Sequence, residues 1–310
     1  MKNISLIIIS YNTCGLTLEC LHSVFSNIRF PKSEFEVIVF DNASTDGSAD
    51  AIEELFGNRL TLIKSDTNIG FAAGNNAATE KVTSDYILLL NPDTLVLNNA
   101  IDNIYSFAEL NPSAKLWGGR TLFADHSLNP GSCWSRQTLW SLVCQVMGFS
   151  SLFRRSSIFN PEGIGGWDRE GERYVDIISG CFLLIKREFW IKLSGFSPDY
   201  FMYGEDADLC LRAKKFGAKP LISSTATIVH YGGASEKVRA DKLVRLIKAK
   251  ALLIKDHFSH NLSRIGVLLL SGWPLSRYIA HKLFFILGRK NSNNSLIVWK
   301  EVWNRRNEWL

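Results

Sequence analysis

The densest concentration of chemically capable side chains lies in Phe201-Met202-Tyr203-Gly204-Glu205-Asp206-Ala207-Asp208-Leu209-Cys210-Leu211-Arg212. Three carboxylates fall within four residues, directly after an aromatic stretch and a glycine, where the pattern predicts the first turn of a helix. Acids are favoured in any first turn, because unpaired N–H groups and the helix dipole stabilise negative charge. One or two of the three therefore need only a structural role, and Glu205 and Asp208 are equally readable as caps or, for Asp208, as the partner of Arg212 four residues on. Three acids so close also repel. A carboxyl held beside aromatic residues has its pKa raised into the range useful for taking a proton from a hydroxyl.

Such a segment acts only if other elements bring polar partners to it, and the N-terminal half supplies a frame. Short β-branched and leucine runs at Ser5–Ile9, Phe35–Phe40, Leu60–Ile63 and Tyr86–Leu90 predict buried parallel strands. Helical spacing between them, at Leu16–Phe25, Ala49–Phe56 and Phe71–Val82, predicts a doubly wound α/β half with right-handed crossovers. In such a sheet ligands bind beyond the carboxyl ends of the strands. The residues there are polar: Ser10-Tyr11-Asn12, Asp41-Asn42-Ala43-Ser44-Thr45-Asp46-Gly47, Asn68-Ile69-Gly70-Phe71-Ala72-Ala73-Gly74-Asn75-Asn76, and Asn91-Pro92-Asp93. Any one of these is readable as turn and cap chemistry; four on one rim are not. The chain has neither G-x-G-x-x-G after its first strand nor a P-loop, so the dinucleotide and P-loop readings lose their support, and a different nucleotide-shaped ligand is indicated.

The 310 residues, 46% apolar and 12% aromatic, are ample for a large core. The net charge of +5 hides an asymmetry: residues 1–235 carry 20 Lys/Arg against 25 Asp/Glu, and residues 236–310 carry 15 against 5. A basic segment with apolar residues interleaved points to an anionic membrane surface rather than to nucleic acid. Leu243, Leu246, Ile247, Leu253, Ile254 and Phe258 predict an amphipathic helix. Two more are expected at Leu275–Leu287 and Leu296–Leu310, the last carrying Trp299, Trp303 and Trp309. Tryptophan with basic residues suits a membrane interface; a helical appendage packed on the core or on a second subunit is the competing reading. The six cysteines show no C-x-x-C pair, consistent with reduced thiols in the cytosol. The apolar N-terminal run is too short for a signal peptide, and no run of about 18 apolar residues occurs. The stretch Arg154–Arg173, rich in glycine, serine and charge, reads as a mobile loop over a site, and short strands are expected near Pro220 and Ile228.

These motifs together resemble the inverting glycosyltransferases of family two, with the GT-A fold, and especially the rhamnosyltransferase-like branch of bacterial polysaccharide assembly. The resemblance covers most of residues 3–235. It rests on the four rim motifs, on Gly180-Cys181-Phe182-Leu183-Leu184-Ile185-Lys186-Arg187, on Gly204–Arg212 and on His230 followed by Gly232-Gly233. It implies an α/β fold, a mixed sheet flanked by helices, as a GT-A domain at 1–236 followed by a basic helical region at 237–310. It also implies roles. Asp41 accepts from the nucleotide base above Ser10, Tyr11 and Asn12. Asn68, Gly70, Asn75, Asn76 and Asn91 help hold the donor. Asp93, with His230 as a further ligand or a phosphate contact, binds a divalent cation, Mg²⁺ or Mn²⁺. Gly180 and Glu205 face the acceptor, and Asp206 is the general base. Many relatives carry Asp-x-Asp where this chain has Asn91-Pro92-Asp93, which leaves one carboxylate at the metal site and weakens metal binding or makes it more dependent on the nucleotide.

The function expected is inverting transfer of a sugar, rhamnose from dTDP-rhamnose in the first instance, from a nucleoside-diphosphate donor to a lipid-linked or polysaccharide acceptor. The setting expected is O-antigen or cell-wall synthesis at the inner face of a bacterial plasma membrane, by a cytoplasmic, peripherally attached protein. Galactosyl, galactofuranosyl and glucosyl donors are alternatives within the family, and a silent nucleotide-sugar-binding scaffold is an alternative outside catalysis. No nucleic-acid partner is expected; a homo-oligomer through the C-terminal helices is the alternative to their binding a membrane surface.

Overall fold

The run Ile4-Ser5-Leu6-Ile7-Ile8-Ile9-Ser10 becomes a strand buried along its whole length, because β-branched and leucine side chains can cover both of its faces. The computed structural model describes residues 3–31, 34–232, 239–287 and 293–310. Its elements in chain order begin with β1 (Ile4–Ser10), α1 (Cys14–Asn27), β2 (Phe35–Asp41), α2 (Ser48–Phe56), β3 (Thr61–Lys64), α3 (Phe71–Thr79), β4 (Tyr86–Leu90), β5 (Thr94–Val96) and α4 (Ala100–Leu110). Next come β6 (Leu116–Leu122), β7 (Leu128–Asn129), β8 (Cys133–Trp134), α5 (Leu139–Met147), α6 (Phe149–Leu152), β9 (Glu172–Tyr174), β10 (Ile177–Ile178), β11 (Phe182–Lys186) and α7 (Arg187–Lys192). The chain finishes with α8 (Glu205–Lys215), β12 (Leu221–His230), α9 (Arg239–His257), α10 (His260–Ile286) and α11 (Asn293–Asn304). They divide into two compact units, Met1–Trp134 with Asp168–Ser235, and Ser135–Trp167 with Glu236–Leu310. The boundary expected at Glu236, and Gly233 of the His230 motif, lie outside the described residues.

The first unit is organised by a mixed sheet in the order β3-β2-β1-β4-β11-β6-β12-β5, with β7 on β6 and β9 on β12. Strands β3, β2, β1 and β4 are parallel, in register Ile7↔Ile38 and Ile7↔Leu89, while β11 runs antiparallel to both β4 and β6. The order reverses between β1 and β4. The crevice beyond their carboxyl ends is the position where such sheets bind ligands.

Three sequence expectations change in this unit. Leu60–Ile63 was expected as a buried strand; β3 is the sheet's edge, paired only to β2, and its side chains are exposed or half-buried. The two short strands expected near Pro220 and Ile228 are one strand, β12, whose register against β6 shifts between Ser223 and Thr227. That irregularity interrupts the alternation and makes one strand read as two. The Arg154–Arg173 stretch is divided: residues 154–167 form compact turns in the second unit, with Gly165 N donating to Asn160 O at 3.0 Å, and Glu172–Tyr174 pairs with β12 in the first.

The second unit packs α5, α9, α10 and α11 around Leu142, Val244, Ile247, Ile254, Leu270, Trp299, Val302 and Trp309. Helix α10 begins 15 residues before the expected Leu275 and passes through Pro274. A proline normally ends or kinks a helix; here packing on both sides of it, including Trp273 against Trp299 with ring centroids 5.5 Å apart, holds the helix together. Trp299 and Trp309 are buried in this core and Trp303 packs against it, so these tryptophans are spent on protein packing. Among the described residues no helix is long and apolar enough to cross a membrane.

Candidate active site

Strand β1 ends at Ser10, whose carbonyl accepts from Asn42 N at 2.8 Å and whose buried hydroxyl meets that of Thr17 at 3.1 Å. Asn12 follows in a left-handed conformation, and its backbone N donates to Ser44 Oγ at 3.0 Å while its Oδ1 accepts from Thr45 N at 2.8 Å. The loops after β1 and β2 are thereby tied into one surface, on which Tyr11 is half-exposed. Asp46 steadies the same surface from below, accepting from Cys14 N at the start of α1 and from Ser48 N at the start of α2.

Strand β2 ends at Asp41. Its Oδ2 accepts from Ser44 N at 3.0 Å, whereas its Oδ1 is buried and without a hydrogen-bond partner among the described residues. A buried, unpaired acceptor is costly in a folded protein unless something else satisfies it. The neighbouring Asn42 is equally buried and fully occupied: it donates to Asn68 Oδ1 at 3.0 Å and Gly70 O at 3.2 Å, and accepts from Ile69 N at 2.9 Å. Asn68 Oδ1 also accepts from Gly70 N at 2.9 Å. Sequence reasoning passed over Asn42, although its place between Asp41 and Ser44 in the second rim motif was the available signal.

Gly70 sits at φ +87°, and a Cβ there would lie 2.6 Å from Phe201 O. The next residue, Phe71, donates its N–H to that same carbonyl at 2.9 Å. This joins the glycine-rich turn to the segment leading into α8. Tyr203 and Gly204, both at positive φ, make the sharp entry to that helix, and Asp208 N then returns to Gly204 O at 2.8 Å. At the other end of the first turn Asp208 Oδ2 accepts from Arg212 Nε at 2.7 Å, and the same guanidinium donates to Leu193 O and Gly195 O at 2.6 and 2.8 Å. Asp208 is thus the structural acid of the three.

Asp206 is half-buried. Its Oδ2 accepts from Gly180 N at 2.9 Å and its Oδ1 from Ala207 N at 2.7 Å. Burial raises its pKa, and the N–H groups of Gly180 and Ala207 work against that rise by favouring the carboxylate. Glu205 lies deeper, its Oε2 without a partner among the described residues, and burial, followed by the charge of Asp206, pushes it up to about 8. Burial thus raises both neighbouring acids, and the N–H groups of Gly180 and Ala207 favour the carboxylate form of Asp206. Gly180 is not sterically required to be glycine: a Cβ would meet Asp206 Cβ and the Phe71 ring at 3.6 Å, ordinary contact. What the position supplies is its N–H.

The residue after Gly180 connects to the remaining motif, since Cys181 O accepts from Asn91 N at 3.1 Å. Asn91 Nδ2 lies 3.3 Å from His230 Nε2, and Asn91 Oδ1 is another buried acceptor without a partner among the described residues. Asp93 Oδ1 is 3.3 Å from the same His230 nitrogen. Burial works to raise the Asp93 pKa, and the bond to His230 overrides it and holds the carboxyl below its ordinary range. Burial alone would depress His230, but the Cys181 side chain and Asp93 push it up to about 10. Among the described residues no three His, Cys, Asp or Glu side chains cluster as a ready metal site. Asp93 and the unpartnered Asn91 Oδ1 offer two oxygens to a hard divalent cation completed by phosphate oxygens, and His230 would join them as an imidazole only on giving up the proton it shares with Asp93.

The structure thus links Ser10, Asn12, Asp41, Asn68, Gly70, Asn91, Asp93, Gly180, Asp206 and His230 through a continuous series of loop contacts. The amides of Asn75 and Asn76 bond to none of these ten residues. Asn75 Nδ2 donates to Phe71 O at 2.9 Å, and Asn76 spans to Phe196, donating to its O and accepting from its N at 2.9 Å each. Both amides brace helix α3.

The sequence pattern described as Glycosyl transferase family 2 matches residues 5–188. N-acetylglucosaminyl-diphospho-decaprenol L-rhamnosyltransferase of Mycobacterium tuberculosis is 25% identical over 213 residues, 63% of this chain and 66% of that one. Rhamnosyltransferase WbbL of Escherichia coli is 28% identical over 52% of this chain and 61% of its own. The matches span no more than two thirds of these relatives' lengths. Among solved structures, a mannosyltransferase of Pyrobaculum calidifontis in complex with GDP-Man and Mn²⁺ aligns over 97% of this chain and 84% of its own, with a TM-score of 0.59 at 15% identity. Staphylococcus aureus TarS 1-349 in complex with UDP-GlcNAc aligns over 96% and 79%, with a TM-score of 0.54 at 16% identity. With the family's pattern covering more than half of its length on a GT-A fold, the chain is a glycosyltransferase of family 2.

Proposed function

We propose that this enzyme transfers rhamnose from dTDP-rhamnose, with inversion, to a hydroxyl of a lipid-linked glycan in bacterial surface polysaccharide synthesis. The observation that carries the reading is the pairing of consecutive residues with two different motifs: Gly180 N holds Asp206 and Cys181 O holds Asn91, so a candidate base and a candidate diphosphate site are tied to adjacent residues. The rhamnosyl donor and the lipid-diphosphate acceptor are suggested by the names of the relatives.

Asp41 Oδ1 has the chemistry to accept from the imide N–H of thymine or uracil, with the ring over Ser10, Tyr11 and Asn12. Asn68 and Gly70 shape the wall beside it, and Asn75 and Asn76 serve the donor by fixing α3. Asp93, His230 and Asn91 Oδ1 would hold Mg²⁺ or Mn²⁺. Such a cation supplies charge neutralisation to the leaving diphosphate. Asp206, fixed by two N–H groups at the start of α8, accepts the acceptor hydroxyl's proton as that oxygen bonds to the anomeric carbon and the carbon–oxygen bond to the diphosphate breaks. With one displacement, the configuration inverts. Gly180 and Glu205 line the acceptor side. The basic second unit draws the enzyme to the anionic cytoplasmic face of the membrane that carries its acceptor.

Calorimetric titration with nucleoside diphosphates and their sugars, each with Mn²⁺, Mg²⁺ or EDTA, tests the donor site. Metal-dependent preference for the dTDP series is expected. Absence of binding to every nucleotide in all three conditions contradicts the reading.

A further inference from the structure

Helix α10 exposes apolar side chains towards both of its ends, with Gly272 between them against Val146 of α5. Leu262, Ile265, Leu268, Ile279, Leu283, Ile286 and the following Leu287 are all exposed, Leu268 by 72% and Ile286 by 68%. At about 100° per residue they fall within about 120° of the helix circumference. The buried positions Gly266, Leu270 and Pro274 lie on the other side, against the unit's own core. At the carboxyl end Leu283, Phe285, Ile286 and Leu287 are all exposed. Exposed Arg264 and Lys282 flank the stripe, and the helix contains no Asp or Glu. In sequence, Arg289 and Lys290 follow directly.

We propose that this α10 ridge is the membrane-docking element, lying in the headgroup region of an anionic bilayer with the Lys282–Leu287 end inserted most deeply. The chemistry favours lipid over a second copy of the chain. Two copies meeting along this ridge would set Arg264 and Lys282 against helices that carry no acid, whereas anionic headgroups supply the countercharge. The stripe's length and the absence of a spanning segment among the described residues fit a helix lying in the interface plane. The tryptophans of the last helix, buried in the core, do not serve as the anchor.

This inference rests on the membrane-associated reading above and is separable from it. The full chain is sedimented with vesicles of phosphatidylcholine alone and with phosphatidylglycerol added, at low and high salt. The substitution set Phe284→Ser, Phe285→Ser and Leu287→Ser alters only exposed positions, and circular dichroism and nucleotide titration verify that it is folded. Binding of the intact chain to anionic vesicles, weakened by salt and lowered at least tenfold by the substitutions, is the expected result. Equal vesicle binding by the substituted chain overturns the ridge assignment and leaves membrane association standing. No binding by the intact chain overturns both. Concentration-dependent dimerisation of the intact chain, abolished by the substitutions while vesicle binding is unchanged, assigns the ridge to a second copy instead.

Discussion

Gly70 and Phe201 approach so closely that the backbone carbonyl of one occupies the place where the other would carry a side chain, at 2.6 Å. Because Phe71 N donates to the same carbonyl, the turn before α3 and the segment before α8 are locked together, and with them the two halves of the site.

Gly70→Ala should therefore be costly twice over, through its positive φ and through the clash with main chain that cannot swing aside. A loss of about 2 kcal/mol or more is expected in urea unfolding, together with lower turnover. Wild-type stability in this variant contradicts the close approach.

Asn42 bridges the loops after β2 and β3 with three hydrogen bonds while nearly fully buried. Asn42→Ala should cost about 1–3 kcal/mol through unpaired groups at Asn68, Ile69 and Gly70, and should weaken nucleotide binding by displacing the wall beside Asp41. Calorimetry on the folded variant checks the second effect; unchanged affinity contradicts it.

Glu205 makes a pH prediction. Its carboxyl titrates near 4.5 when unfolded and at about 8 when folded. Between those values the folded protein holds a proton that the unfolded chain releases, so stability falls as pH rises across that window. Glu205→Gln should flatten the fall in melting temperature between pH 5 and 8 and be the more stable protein at pH 8, with a residual slope from Asp206, whose pKa moves in the same direction. Parallel curves for the two proteins contradict a buried, protonated Glu205.

Asp93 is the only carboxylate in the Asn91-Pro92-Asp93 turn. Asp93→Ala should weaken Mn²⁺-supported donor binding at least about tenfold and leave binding in EDTA almost unchanged. Identical titrations of variant and wild type with metal present would remove the cation from this position.

Much of this architecture is legible in the sequence for physical reasons. Strands β1, β2 and β4 announce themselves because strands buried on both faces must be continuously apolar, and α8 because three acids follow a glycine. The edge position of β3 is not legible, since its short apolar run resembles that of a central strand. The helix expected from Leu275 begins 15 residues earlier, at His260, because the packing of Trp273 on Trp299 that carries it through Pro274 is long-range. Trp299 and Trp309 leave a membrane interface and protein packing open in the sequence, because helical periodicity states that one face is covered without stating by what. At the site, the types of Asp41, Asp93 and Asp206 carry a chemical signal of their own. Asn42 and Asn76 carry none until their hydrogen-bond partners, 28 and 120 residues away in sequence, are seen.

The most direct test of the account is the rate of sugar transfer by Asp206→Asn, measured with the donor selected by calorimetry and a lipid-diphosphate-linked acceptor. The amide keeps the shape and removes the basicity. Turnover should fall at least about a hundredfold while donor affinity stays near that of the wild type; wild-type turnover would show that proton removal occurs elsewhere and that the acids of α8 are structural.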